Sequence, residues 1–279
     1  MNKIKAMKQK AKNVKKLLTL RQQKLIKTVC SRLNNREKDY TLVDRVPGCI
    51  FSDQPKSQPY FNVSLDDCVG HIYIGFRSSG WNPFSEAVKH YLTTKQWALL
   101  QRWYDRFQPT SLSELYFCKN DPFFGVLNEA SPFLRLKPWR ETELLMSGHR
   151  GGGNQNFGPV DSEKFNKECS RYETVIRSYA LHGYDISIGG PITGYFLIKN
   201  RGEYVFRVTA GMHRLIVADA LGWNTIPACF DEAMPRYIHE NTAPLWPQVE
   251  NGVIPLELAQ FMFQQHFDDR GQAKLGIFA

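Results

Sequence analysis

The stretch from Gly194 to Phe230 constrains this chain more than any other. Gly194-Tyr195-Phe196-Leu197-Ile198 and Tyr204-Val205-Phe206-Arg207-Val208 are short runs of aromatic and β-branched residues around the turn Lys199-Asn200-Arg201-Gly202. That pattern predicts a β-hairpin. The second strand leads straight into Gly211, after which Met212-His213-Arg214 opens a helix through Leu215, Ile216, Ala218 and Leu221 that ends at Gly222. A further short strand is predicted at Ile226-Pro227-Ala228-Cys229-Phe230. Strand, glycine turn, helix, strand requires a layered structure of helices on a sheet, the α+β class.

The order also has a chemical use. Unpaired amides and the positive dipole end at a helix N-terminus favour an anion, and glycine lets the backbone approach it closely. Gly211, Met212, His213 and Arg214 therefore form a candidate phosphate site, with the planar fork of Arg214 suited to paired charge-assisted hydrogen bonds.

Upstream, His149-Arg150-Gly151-Gly152-Gly153-Asn154-Gln155-Asn156-Phe157-Gly158-Pro159 contains three consecutive glycines. Gly151, Gly152 and Gly153 can expose backbone amides to an anion, or can simply form a surface connection; the loop matches neither a P-loop nor GxGxxG. Asp161 or Ser162 then caps a helix to about Leu181, with Gly183 as its stop. Phe165, Cys169, Tyr172, Ile176 and Tyr179 make its buried stripe. Glu168 and Arg171, three residues apart, either project toward a common site or pair with each other.

A chain of 279 residues has room for one or two cores with appendages, and 42% hydrophobic, 13% aromatic and 23% charged residues is an ordinary globular composition. The net charge of +9 is uneven: twelve Lys and Arg precede residue 37 with no acid among them, so the rest is mildly acidic. Overall basicity is thus no argument for nucleic-acid binding. Residues 1–37 predict a basic amphipathic helix, with Ile4, Met7, Ala11, Val14, Leu18 and Leu25 as its apolar stripe. Three uses stay open for it: an anionic membrane surface, nucleic acid, or docking on the protein's own body.

Residues 38–145 predict an accessory α-rich region, in which Ile72–Phe76 reads as a strand and Ser85–Phe107 as a helix capped by Ser85. Asp66, Asp67 and Asp121 are either ligands or, more commonly for such acids, exposed turn residues. Residues 146–235 form the central module. Residues 236–279 are a C-terminal helical extension, with helical character from Leu256 to Phe267. The six cysteines are scattered without metal-ligand spacing, which predicts reduced thiols in a cytoplasmic setting, peripheral at an inner membrane if the basic helix binds there.

Gly211-x-His213-Arg214-Leu215, followed by Ala218, Leu221-Gly222 and Ile226-Pro227, resembles the nucleotide-binding motif of the bacterial ParB/sulfiredoxin superfamily. The resemblance covers about Arg150 to Phe230, with weaker similarity at Glu240-Asn241 and Pro255-x-Glu257-x-Ala259. It implies a compact mixed sheet with flanking helices and a nucleoside triphosphate, ATP or CTP, with Mg²⁺. Gly151, Gly152, Gly153, Arg171, Gly211, Met212, His213, Arg214 and Asn241 would bind the nucleotide, Glu168 and His213 would be catalytic, and Glu168 would also be the metal ligand. The departures narrow the activity. Met212 stands where a sulfiredoxin has its catalytic cysteine, Ala210 stands where serine kinases of this fold carry an acid, and the tail after Phe230 leaves little room for a helix-turn-helix. Sulfiredoxin chemistry, chromosome partition and sequence-specific DNA binding are therefore not expected. Three readings remain: a phosphotransferase acting on a small metabolite or glycan precursor, a non-catalytic nucleotide-responsive module, and a scaffold that has lost the ligand.

Overall fold

The apolar run Tyr195–Ile198 has no polar face to offer water, and it is buried on both sides as the central strand of a sheet. The computed structural model describes residues 47–50, 60–77, 80–116, 125–141, 144–145, 151–268 and 270–277. The basic segment 1–37, Asp121, His149 and Arg150 lie outside the described residues. The strands are β1 (Phe61–Ser64), β2 (Cys68–Val69), β3 (Leu134–Arg135), β4 (Leu144–Leu145), β5 (Ile192–Ile198), β6 (Tyr204–Ala210), β7 (Thr225–Phe230) and β8 (Tyr237–His239). The longer helices are α1 (Pro83–Thr94), α2 (Ala98–Arg106), α3 (Ser162–His182), α4 (Met212–Ala220) and α5 (Leu256–Asp268).

Six strands form one mixed sheet in the order β1-β7-β5-β6-β2, with β8 also paired to β5. β5 and β6 make the antiparallel hairpin, β7 lies parallel to the start of β5, and β8 lies parallel to its end. The two outer strands come from far upstream: β1 pairs antiparallel with β7, and β2 parallel with β6. β3 and β4 form a separate two-stranded ladder. The architecture is therefore an α+β mixed sheet flanked by helices.

Side-chain alternation gives the sheet two unlike faces. Phe61, Phe196, Phe206 and Phe230 interlock on one, with ring centroids 4.8 to 6.1 Å apart. The other carries the paired residues Tyr195 and Arg207, toward Trp139 and α5. This second face is where the buried Arg207 is found.

α3 follows the sequence reading closely. Asp161 caps it by accepting from the Lys164 amide at 2.7 Å, and Gly183 ends it at φ 65°. Two local expectations fail. Ile72–Phe76 is not a strand: Ile72 and Tyr73 take positive φ of 51° and 59°, and Tyr73 packs on Tyr116 and His266 at 4.9 and 4.6 Å. Tertiary packing overrides the strand propensity of this stretch. The helix over Ser85–Phe107 is two helices, because Lys95 enters the left-handed region at φ 61°. Its cap is Asn82, whose side chain accepts from the amides of Phe84 and Ser85 at 3.0 and 3.2 Å while Pro83 supplies the preset first turn.

Cys68, Cys169 and Cys229 are free thiols. Among the described residues no helix is long and apolar enough to cross a membrane.

Candidate functional site

Gly211 takes φ 89°, which turns the end of β6 directly into α4. A Cβ there would stand 2.6 Å from Ile192 Cδ1 and 2.9 Å from an Arg214 nitrogen, so both the conformation and the space require glycine. Met212 and His213 are the first two residues of α4, and their amides have no carbonyl of the same helix behind them. They border an open cleft of about 580 Å³ between α3 and α4, which Lys167, Arg171, Gly189, Gly211, His213 and Arg214 help to line.

Arg214 is partly committed. It donates from one terminal nitrogen to the Gly190 carbonyl and from the other to the Pro191 carbonyl, at 3.0 Å for the second. Tyr179 donates its hydroxyl to the Arg214 carbonyl at 3.2 Å. The guanidinium thus fastens the loop before β5 to the start of α4, while still facing the cleft.

Behind the cleft, Glu168 is only 1% exposed, although it lies on a helix otherwise well supplied with solvent-facing charges. His213 Nε2 meets its Oε2 at 2.7 Å, and Lys164 and Arg171 both meet its Oε1 at 2.8 Å. Burial alone would raise its pKa, but hydrogen bonds from His213 and Lys164 outweigh that and hold the carboxyl down at about 2. The pairing of Glu168 with Arg171 is therefore real, and it is one of three contacts. Glu168 fixes the ring of His213, which also packs on Tyr172 at 4.8 Å.

Of the residues named from sequence, Arg171, Gly211, Met212, His213 and Arg214 line the cleft, and Glu168 stands directly behind them. Gly151, Gly152 and Gly153 do not line it. Gly153, at φ 93°, is pressed against the backbone of Pro159 and Val160, so the loop folds on its own return segment. Its successors Gln155 and Asn156 do reach a small hollow shared with Met212 and His213. Asn241 is exposed at the other end of β5: it follows His239, the partner of Ile198, whereas Ile192 is the strand residue beside Gly211. Lys167 and Gly189 belong to the cleft and were not singled out. Lys167 was findable, since it lies one helical turn before Arg171.

As a Mg²⁺ ligand Glu168 fits poorly, because one oxygen is taken by Lys164 and Arg171, the other by His213, and it is sealed from solvent. Among the described residues no three His, Cys, Asp or Glu side chains gather to hold a metal. What the cleft offers is positive charge, helix-terminal amides and a rigidly held imidazole. No protein-family model matches the sequence, and no curated protein matches it.

Proposed function

We propose that this chain is a nucleoside-triphosphate-binding protein built on a ParB/sulfiredoxin-like module, with the phosphates in the cleft at the start of α4. The observation that carries the reading is the convergence of Lys167, Arg171, His213 and Arg214 on the positive-φ turn at Gly211. The cleft falls within the few hundred to thousand cubic ångströms usual for a small-ligand site. ATP and CTP are the ligands to test, with Mg²⁺ carried on the nucleotide's own oxygens.

The same geometry favours a nucleotide-responsive binding module over a phosphotransferase that uses Glu168 as base. A carboxylate held at about 2 by cations is almost fully ionised at neutral pH but is a weak proton acceptor. Its role is to position His213. Bound phosphate would bring negative charge beside Arg171, which Glu168 now shares with Lys164 and His213, and would draw that arginine into the cleft.

Isothermal titration of the full chain with ATP and CTP, each with Mg²⁺, tests this, with nucleotide hydrolysis and transfer followed in parallel. Saturable binding without turnover is expected, weakened about a hundredfold in a Lys167→Ala/Arg171→Ala double variant because each lost charged contact costs about tenfold. Turnover would move the conclusion to phosphotransfer. No binding of either nucleotide would leave the module as a scaffold.

A further inference from the structure

A second concentration of positive charge lies away from the cleft, on the Tyr195 face of the sheet. Arg207 is at the centre of β6 and only 4% exposed. It lines a partly open cavity of about 40 Å³ together with Arg135, Lys137, His71 and His266, a cavity that shares no lining residue with the cleft. Among the described residues that line it there is no carboxylate.

The hydrogen bonds show how little of this charge is balanced. Arg207 donates to the Val208 carbonyl and, at 3.1 Å, to His71 Nδ1, while its Nε is buried with no partner. The Nε of Arg135 is likewise buried and unpartnered. Lys137 Nζ stands 3.4 Å from the Tyr195 hydroxyl and over that ring at 5.5 Å. An arginine has no acceptor, so His71 Nδ1 must be the unprotonated nitrogen. Burial, and next the Arg207 charge, push His71 well below the usual histidine range. His266 donates from Nδ1 to the Met262 carbonyl at 2.9 Å, and burial followed by Arg207 pushes it down in the same way. Both rings are therefore neutral. Burial, and next the Arg207 charge, push Lys137 well below the usual lysine range too, so the charge at the cavity is chiefly that of Arg207 and Arg135, and an anion there would restore the proton on Lys137. Buried charge without a counter-ion is among the costliest arrangements in a protein.

We propose that this cavity is a site for a small tetrahedral oxyanion, phosphate or sulfate, received by the unpartnered Nε of Arg207 with Lys137 and Arg135. By the same measure of space a single water needs about 10–15 Å³, so the interior of the cavity holds a few heavy atoms, the size of a free oxyanion. The bound species is the free anion. It balances the buried charge of Arg207 and Arg135 and ties β6 to β3 and the segment after it.

Calorimetric melting of the full chain in phosphate- and sulfate-free chloride buffer, with phosphate and then sulfate titrated at constant ionic strength, tests the site. Wild-type Tm is expected to rise by about 5 °C at an anion concentration one hundred times Kd. The rise should persist in the Lys167→Ala/Arg171→Ala variant, which strips the cleft, and vanish in Arg207→Met. Lys137→Met should weaken the anion about tenfold, and it decides the matter should Arg207→Met not fold. No rise in the wild type overturns the proposal. So does a rise lost with the cleft cations but kept in Arg207→Met, or an unchanged affinity in Lys137→Met. Nucleotide binding is read separately and can fail or succeed without affecting these outcomes.

Discussion

The surroundings of Glu168 and of Arg207 set two solutions to buried charge side by side. Glu168 is one sealed carboxylate with three partners, Lys164 and Arg171 reaching it from its own helix and His213 from α4. Arg207 is one sealed guanidinium whose nearest charged neighbours share its sign. The first arrangement is complete within the protein and stiffens His213 at the cleft. The second is complete only with something added. The comparison teaches that burial alone does not mark a structural ion pair, and that the partner inventory decides what a buried charge is for.

Acid is the strongest way to break the contrast. Glu168 titrates at about 2 in the folded chain against 4.5 as its ordinary value, so the unfolded state binds more protons in between. Its stabilisation is complete above about pH 4.5 and drains away as pH falls toward 2, a loss of about 3 kcal/mol. Urea unfolding of wild type and Glu168→Gln between pH 6 and pH 2.5 reads this as the difference between the two slopes. Equal slopes would mean that the three contacts contribute nothing in solution.

At neutral pH, Glu168→Gln should cost about 2 kcal/mol by urea denaturation, since the charged partner of Lys164 and Arg171 is replaced by a neutral one. Arg207→Met should move the other way in oxyanion-free buffer, with a gain of about 1 kcal/mol from removing an uncompensated charge. A loss of stability in that variant would erase the distinction between the two sites. Arg171→Gln should be the smallest change, about 0.5 kcal/mol, because its side chain is 43% exposed and Lys164 and His213 still satisfy Glu168.

The hairpin of β5 and β6, the turn at Gly211, α3 with both its caps, α4 and α5 were all legible in the sequence, because each rests on local spacing and on caps within a few residues. The outer strands were not. Phe61-Asn62-Val63-Ser64 carries too few residues to show a period, and its strand character comes from pairing with β7. Ile72–Phe76 failed for the converse reason: its composition is that of a strand, but Tyr73 is turned aside by aromatic neighbours distant in sequence. At the site, Gly211, His213, Arg214 and Arg171 were readable because one motif and one helical repeat contain them. The cluster around Arg207 was not, since its members come from four separate elements. One signal did exist: an arginine in the middle of Tyr204-Val205-Phe206-Arg207-Val208, flanked on both sides by residues that seek a core.

The pairing of β1 with β7 has a consequence for how the molecule is made. Phe61 lies opposite Ala228 and Cys68 opposite Phe206, so strands made early wait for partners made far downstream in the chain. Such non-local pairings slow folding, because a long loop must close before any contact rewards it. A piece starting at residue 146 would keep the hairpin and α4 but present β6 and β7 as bare edges, open to any other chain with a strand to offer.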